Sequence, residues 1–272
     1  MEAQRMIDRK TAAEAVISDR FSGKVAIVTG GASGMGRAQS IRLAAEGATV
    51  AVVDMNETGG SVVIESIRES GGKATFHCAD LTKPDAVAST VEEIRRTHGP
   101  AQLLFNNAGT ILVKPYAETT EEEFDWLVRA NVRSAFSVTR QVIPQMVAQG
   151  YGSIVMMSSV SAFRGFPMEA LYGMTKSAVQ ALMTNIAIEY RNSGIRCNAI
   201  CPAFVRTPHG LRELDDFKAL GVAWDDSALA ETQLHICEPE DVASVALYLA
   251  SDEAAFLNGV AIPIDNGWMA KA

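Results

Sequence analysis

The 272-residue chain has only four cysteines, Cys78, Cys197, Cys201 and Cys237, and no two stand in CxxC spacing. That argues against a disulfide framework and suits reduced, mostly buried thiols in a cytoplasmic protein. A metal site would need further ligands. His209, His235 and Cys237 are the only candidates, and no metal is expected. No apolar run reaches membrane-spanning length. Positive charge is also short: 24 Lys and Arg face 32 Asp and Glu, for a net charge of −8. With a pI near 5.1, such a surface repels nucleic-acid phosphates and anionic membranes, so neither is an expected partner. The opening MEAQRMIDRKTAAEAVISDR mixes four basic with four acidic residues and has no hydrophobic signal core. It is expected to be an N-terminal extension over residues 1–20 rather than a secretion signal. Internal repeats and low-complexity linkers are lacking too, so residues 21–272 are expected to form a single domain.

Regular alternation is what the chain does contain. Short β-rich runs occur at 24–29, 49–54, 74–80, 102–107, 153–159, 196–201 and 260–265. Helical periodicity fills about 35–46, 58–70, 84–97, 120–148, 168–192 and 239–250. Strands alternating with helices predict an α/β, doubly wound architecture, with a seven-stranded, mostly parallel sheet covered by helices on both faces. Runs such as VAIVT and VAVVD suit strands buried on both sides. Thr120 with Glu123 predicts a capping box, and Pro84 a helix start. Gly47, Gly71–Gly72 and Gly194 are placed to end helices in left-handed caps.

The first strand runs into TGGASGMG. Thr29, Gly30, Gly34 and Gly36 mark a tight turn opening the first helix, with Ser33 and Met35 inside it. Glycines there let backbone approach a pyrophosphate, which the helix N-terminus attracts; this is the dinucleotide turn of a Rossmann fold. Asp54 ends the second strand 18 residues beyond Gly36, the spacing of a ribose-binding acid. Its carboxylate can accept both ribose hydroxyls and repels a 2′-phosphate. Ser33, Met55 and Asn56 offer no cation to hold that phosphate, so NAD is expected rather than NADP.

TGxxxGxG, then NNAG at 106–109, then a serine, then YxxxK follow in order. In this the chain resembles the short-chain dehydrogenase/reductase family, the single-domain kind, over about residues 22–269. The resemblance implies that Asp80 and Leu81 touch the adenine. It implies that Asn106 stabilises the sheet while Asn107, Ala108 and Gly109 pass beside the cofactor. It makes Asn131, Ser159, Tyr172 and Lys176 the catalytic set. In CPAFVRTP, Pro202, Val205 and Thr207 meet the nicotinamide end, with Ala203 where glycine is usual. It also implies a mobile substrate lid over 206–236, and a homo-oligomer, tetramer or dimer.

Tyr172 and Lys176 lie four apart, on one face of a helix. A free phenol, with a pKa of about 10, is a poor base; bringing it to about 7 takes about 4 kcal/mol. A unit charge at about 4 Å supplies that order at an effective dielectric near 20. The resemblance then implies Tyr172 as general acid/base, with Lys176 lowering its pKa and binding the nicotinamide ribose. Ser159 polarises the substrate oxygen, and Asn131 holds a water leading from Lys176 to solvent. The expected substrate is a secondary alcohol or ketone. Val160, Phe163, Phe166 and Met168, with Leu211, Leu214, Phe217, Leu220 and Trp224 of the lid, could close on an apolar or cyclic body; alternatively the lid residues pack on the domain or on another subunit. The acids of the lid argue against a highly anionic substrate. Alternatives are an NADPH-dependent carbonyl or 3-oxoacyl thioester reductase, and a dinucleotide-binding protein without catalysis. An epimerase or dehydratase of the related extended family would need TGxxGxxG and a larger C-terminal domain.

Overall fold

The computed structural model describes residues 19–222, 224 and 226–271, so all but the last two residues of the expected N-terminal extension lie outside the described residues. Seven strands make one sheet: β1 (Val25–Thr29), β2 (Thr49–Asp54), β3 (Lys73–Cys78), β4 (Leu103–Asn106), β5 (Gly152–Met157), β6 (Ile195–Pro202) and β7 (Ala261–Ile264). Their order is β3-β2-β1-β4-β5-β6-β7. Every pairing is parallel, so the sheet is wholly rather than mostly parallel. Each connection crosses over through a helix, and a hairpin strand would be needed to reverse direction.

The helices are α1 (Gly34–Ala45), α2 (Glu57–Glu69), α3 (Pro84–His98), α4 (Glu121–Val128), α5 (Ser134–Gln149), α6 (Ala170–Glu189), α7 (Pro208–Ala219), α8 (Asp226–Gln233) and α9 (Pro239–Ala250). Strand side chains alternate between two cores, as a period of two requires. Ile27, Leu104, Ile154 and Met156 pack towards α3, α5 and α6, meeting Val91, Val142 and Met183. Val28, Phe105, Val155 and Met157 point the other way, meeting Leu43 of α1, Val63 of α2 and Leu247 of α9. Both faces are therefore dry, which is why these strands read as unbroken apolar runs.

Local signals behave as their chemistry directs. Thr120 and Glu123 form the reciprocal capping box, Pro84 opens α3, and Gly47, Gly71 and Gly194 adopt positive φ. The single helix expected over 120–148 is instead two. A π-helical turn at Arg129–Arg133 separates α4 from α5. The wider turn adds a residue per repeat without breaking the apolar stripe, so periodicity alone reads through it.

The segment between β6 and α9 leaves the sheet through a narrow neck. Val205 and Cys237 form a parallel bridge. The Arg206 N–H donates to the Cys237 carbonyl at 2.8 Å, and the Cys237 N–H to the Phe204 carbonyl at 3.1 Å. Arg206 Nε reaches Glu238 Oε1 at 2.9 Å. Beyond the neck, α7 and α8 dock through Phe217 and Leu229 onto Phe204 and Trp268.

Leu104 is fully buried in the central strand β4. Leu104→Ala should cost about 3 kcal/mol of stability through transfer and cavity terms. Urea unfolding followed by circular dichroism checks this; a loss under about 1 kcal/mol would contradict the packing described.

Candidate active site

The order of the sheet reverses between β1 and β4, and ligands of open parallel sheets bind at the carboxyl ends beside such a point. A cleft of about 370 Å³ lies there. Its wall near β1 is built from residues with little choice of conformation. Gly30 has φ +62°, and a Cβ on it would stand 3.0 Å from the Ala108 backbone. A Cβ on Gly36 would fall 2.2 Å from the Gly30 carbonyl oxygen. The Thr29 hydroxyl accepts the Asn107 and Ala108 N–H groups, each at 3.1 Å. Ser33 precedes α1 without capping it, and the first turn of α1 carries no acid. Its N–H groups and the positive helix end are therefore left for an anion.

Asp54 stands at the end of β2. Its Oδ2 accepts the Ala32 N–H and its Oδ1 the Asn56 N–H, both at 3.0 Å, fixing the carboxylate at the rim. Farther along, the Thr82 hydroxyl donates to Asp80 Oδ1 at 2.6 Å and holds that carboxyl below its ordinary range. Asn106 turns away from the cleft and donates to Thr139 Oγ1 at 2.9 Å, tying β4 to α5.

Ser159, Tyr172 and Lys176 converge at the other end of the same cleft. Lys176 is buried, and its Nζ donates to the Met157 carbonyl at 3.0 Å. Burial pushes this ammonium down to about 8, which the nearby Cys201 partly opposes. The ammonium lies 5.6 Å from the centre of the Tyr172 ring. The phenol is pushed well above its ordinary value, first by burial, then by Glu213 and Glu169; the nearby Ser159 hydroxyl pulls the other way. The lowering expected from Lys176 is thus not the net result. Burial and two acidic neighbours set its direction instead.

Gly30, Ser33, Gly34, Met35, Gly36, Asp54, Asp80 and Leu81 all line the cleft, as do Asn107, Ala108, Gly109, Pro202, Val205 and Thr207. Asn131 does not; it sits one layer behind, in the π-helical turn. Its side chain accepts the Thr110 N–H at 2.7 Å and donates to the Thr110 carbonyl and to Thr175 Oγ1, each at 2.9 Å. It therefore clamps the chain leaving β4 against α6.

The lid differs from expectation. None of Leu211, Leu214, Phe217, Leu220 and Trp224 lines the cleft. Phe217 and Trp224 pack on the domain, in a cluster shared with Phe204 and Trp268, while Leu211 and Leu220 are exposed. The lid instead presents His209 and Glu213, facing Glu169, Phe166 and Trp268. Burial, then Lys176 and Arg212, push the His209 imidazole down to about 4, so it is neutral near pH 7. Sequence reasoning missed Glu169 and Glu213, and weighed His209 only as a metal ligand. Glu169 stands three places before Tyr172, but an acid in that position looks like any helix-start carboxylate.

The family profile described as Enoyl-(Acyl carrier protein) reductase matches residues 30–269. The chain belongs to the short-chain dehydrogenase/reductase family. Among relatives in that family, a 3beta-hydroxysteroid dehydrogenase of Mediterraneibacter gnavus is 37% identical over 93% of this chain and 97% of its own. A cyclopentanol dehydrogenase of Comamonas sp. is 36% identical over 93% and 99%. An NAD+-bound xylitol dehydrogenase structure superposes with a TM-score of 0.87 at 31% identity, covering 91% of this chain and 99% of its own. An actinorhodin polyketide ketoreductase variant with NADPH also scores 0.87, at 28% identity, covering 93% and 99%. As a short-chain dehydrogenase/reductase the protein is an oxidoreductase of alcohol and ketone groups that uses a nicotinamide cofactor. Among the described residues no helix is long and apolar enough to cross a membrane.

The cradle fits such a cofactor: bare backbone at Gly30 and Gly36, a helix end without acid, and a fixed carboxylate at the rim. Gly36→Val should therefore weaken NADH binding at least tenfold while far-UV circular dichroism stays unchanged. Fluorescence titration reads the affinity, and wild-type binding would contradict the close approach described.

Proposed function

We propose that the protein is an NAD-dependent oxidoreductase interconverting a secondary alcohol and its ketone, with Tyr172 as the acid/base. The observation that carries this is the convergence of Tyr172, Ser159 and Lys176 at one end of a cleft whose other end holds Asp54. The nicotinamide, when bound, takes or gives the hydride. The protein's own groups handle the proton and the orientation. In reduction the Tyr172 hydroxyl, held protonated by its surroundings, donates to the carbonyl oxygen. In oxidation the same oxygen takes the alcohol proton. Ser159, which lines the same end of the cleft as Tyr172, positions the substrate oxygen between the two. Lys176, protonated below about pH 8, supplies positive charge under the phenol and a donor for the cofactor ribose. Asn131 sets the backbone at Thr110 and, as the family resemblance implies, lies on the water path from Lys176.

Asp54 supports NAD. Among the described residues lining the cleft, Lys176 is the only lysine or arginine, and it sits at the opposite end. A 2′-phosphate beside Asp54 would meet a carboxylate, and no lysine or arginine lining the cleft stands there to offset it. That arrangement weighs against the NADPH-dependent carbonyl or 3-oxoacyl thioester reductase reading. Phe166, Phe204 and Trp268 in the cleft suit a cyclic or apolar substrate body. The names of two relatives, for a 3beta-hydroxysteroid and cyclopentanol, are of that class. We further propose a cytoplasmic homo-oligomer, joined through the exposed Phe124, Trp126 and Phe136 of α4 and α5.

Tyr172→Phe should lower turnover of a secondary alcohol with NAD by at least a hundredfold while NADH still binds. Near-normal turnover by the variant would remove Tyr172 from the mechanism. Asp54→Ser should raise the NADP-to-NAD ratio of kcat/KM at least tenfold; an unchanged ratio would show that Asp54 does not select the cofactor.

A further inference from the structure

We infer that Trp268, on the short turn after β7, is the specificity-determining residue at the substrate end of the cleft. It selects cyclic secondary alcohols and ketones over open-chain ones with the same number of carbons. This deepens the proposed reaction and rests on Tyr172 being its acid/base.

The indole is a wall of the cleft set among other rings. Trp268 lines the cleft together with Phe166 and Phe204. The Phe204 ring lies 6.0 Å from it at an interplanar angle of 22°, and the Phe166 ring 5.1 Å from it at 43°. Trp224 of the lid does not line the cleft, yet it packs on the same indole at 5.8 Å and 74°. Trp268 thus joins the cleft wall to the lid. It is 8% exposed and shares a buried cluster with Tyr172, so the wall stands at the reacting end, away from Asp54.

The wall is held still. Trp268 opens a single 3-10 turn, Trp268–Ala270. Asp265 fixes that turn: its Oδ1 accepts the Gly267 N–H at 3.1 Å and its Oδ2 the Met269 N–H at 2.7 Å. Asn266 Nδ2 donates to the Gln233 carbonyl at 3.0 Å, and Lys271 Nζ to the Glu231 carbonyl at 2.6 Å. The chain is therefore tied to α8 both before and after Trp268. Gln233, itself buried, also brackets Phe204. Its Nε2 donates to the Phe204 carbonyl at 2.9 Å, and its Oε1 accepts the Phe204 N–H at 3.1 Å. Trp268 and Phe204 are thus anchored on one helix end and offer a fixed aromatic surface.

A rigid flat surface favours a rigid ligand. A carbocycle lays one face of C–H groups along the indole and gains dispersion contact with few torsions to fix. An open chain of the same carbons has a similar apolar surface to bury, but must freeze several C–C rotations to lie on the wall. That ordering subtracts from its binding. The difference carries into the reaction, because the carbinol carbon has to be held at Tyr172 while the rest of the body rests on Trp268. Ser161, Glu169, His209 and Glu213 line this end too, and all are polar. An apolar ring is therefore directed onto Trp268, Phe166 and Phe204.

The test uses the full chain, NAD, cyclohexanol and each enantiomer of 2-hexanol, all six-carbon secondary alcohols. Wild-type kcat/KM should be about tenfold higher for cyclohexanol than for the better enantiomer of 2-hexanol. Trp268→Leu keeps an apolar side chain in the turn but removes the flat face. It should lower that ratio at least fivefold, mainly by raising KM for cyclohexanol, with the NADH Kd unchanged. Phe166→Leu, on a different element, should move the ratio the same way. A merely structural role for Trp268 would slow both alcohols alike and leave the ratio where it was. An unchanged ratio in Trp268→Leu, or a wild type that prefers 2-hexanol, overturns the inference. Should Trp268→Leu misfold by circular dichroism, Trp268→Phe decides: its smaller face should lower the ratio at least twofold, and an unchanged ratio overturns the inference. Tyr172→Phe separates the two ideas. An inactive Tyr172→Phe beside an unchanged ratio in the Trp268 variant overturns only the role of Trp268. An active Tyr172→Phe, or a wild type that oxidises neither alcohol with NAD, overturns the acid/base reading and the role of Trp268 with it.

Discussion

The site depends on one close approach, between the carboxyl ends of β1 and β4. Gly30 lies so near Ala108 that no side chain fits between them, and the Thr29 hydroxyl accepts both N–H groups of the chain leaving β4. The parallel pairing of Thr29 with Asn106 brings the two strands to that point in register. Everything downstream uses the opening it creates. The glycine turn faces it from one side, Asn107 to Gly109 from the other, and Tyr172 with Lys176 closes its end. The two dry cores on either face of the sheet hold the strands rigid enough for such spacing to be kept.

The electrostatics of the cleft are divided along its length. The half near β1 and β2 is arranged around hydrogen-bonded carboxylates at the rim, Asp54 and Asp80, which sit where water or ribose can reach them. The half near α6 and α7 is buried, and there burial sets protonation. Lys176 is drawn down towards neutrality, while Tyr172, Glu169 and Glu213 are pushed towards theirs. A region that resists every charge moves the lysine and the tyrosine apart, so the ammonium gives up a proton more readily and the phenol less.

Much of this was legible in the residues, and the illegible part has physical causes. Strand runs such as VAIVT declare burial on both faces, so sheet and strand count follow directly. The glycine turn, Asp54 and the Tyr172–Lys176 pair are recognisable because local geometry ties their function to spacing. The π-helical turn at Arg129–Arg133 was not, because it leaves hydrophobic periodicity intact. Glu169 and Glu213 were not, because they are 44 residues apart and meet only when the lid folds over α6. Trp224 and Phe217 could have met the substrate or packed on the domain, since an apolar lid residue serves either purpose, and they pack on the domain.

The neck where Val205 bridges Cys237 has a consequence for how such an enzyme changes. Both ends of the lid are pinned to each other before it leaves the body, and β6 and α9 belong to the sheet and its covering layer. The ends of this 31-residue loop, counting 206 to 236, are therefore closed by the scaffold whatever the loop contains. Because closure entropy grows only slowly with length, insertions between those ends cost the rest of the molecule little. The lid is an exchangeable cassette. New sequence there can reshape what enters the cleft while the strands, the glycine turn and the tyrosine keep their places.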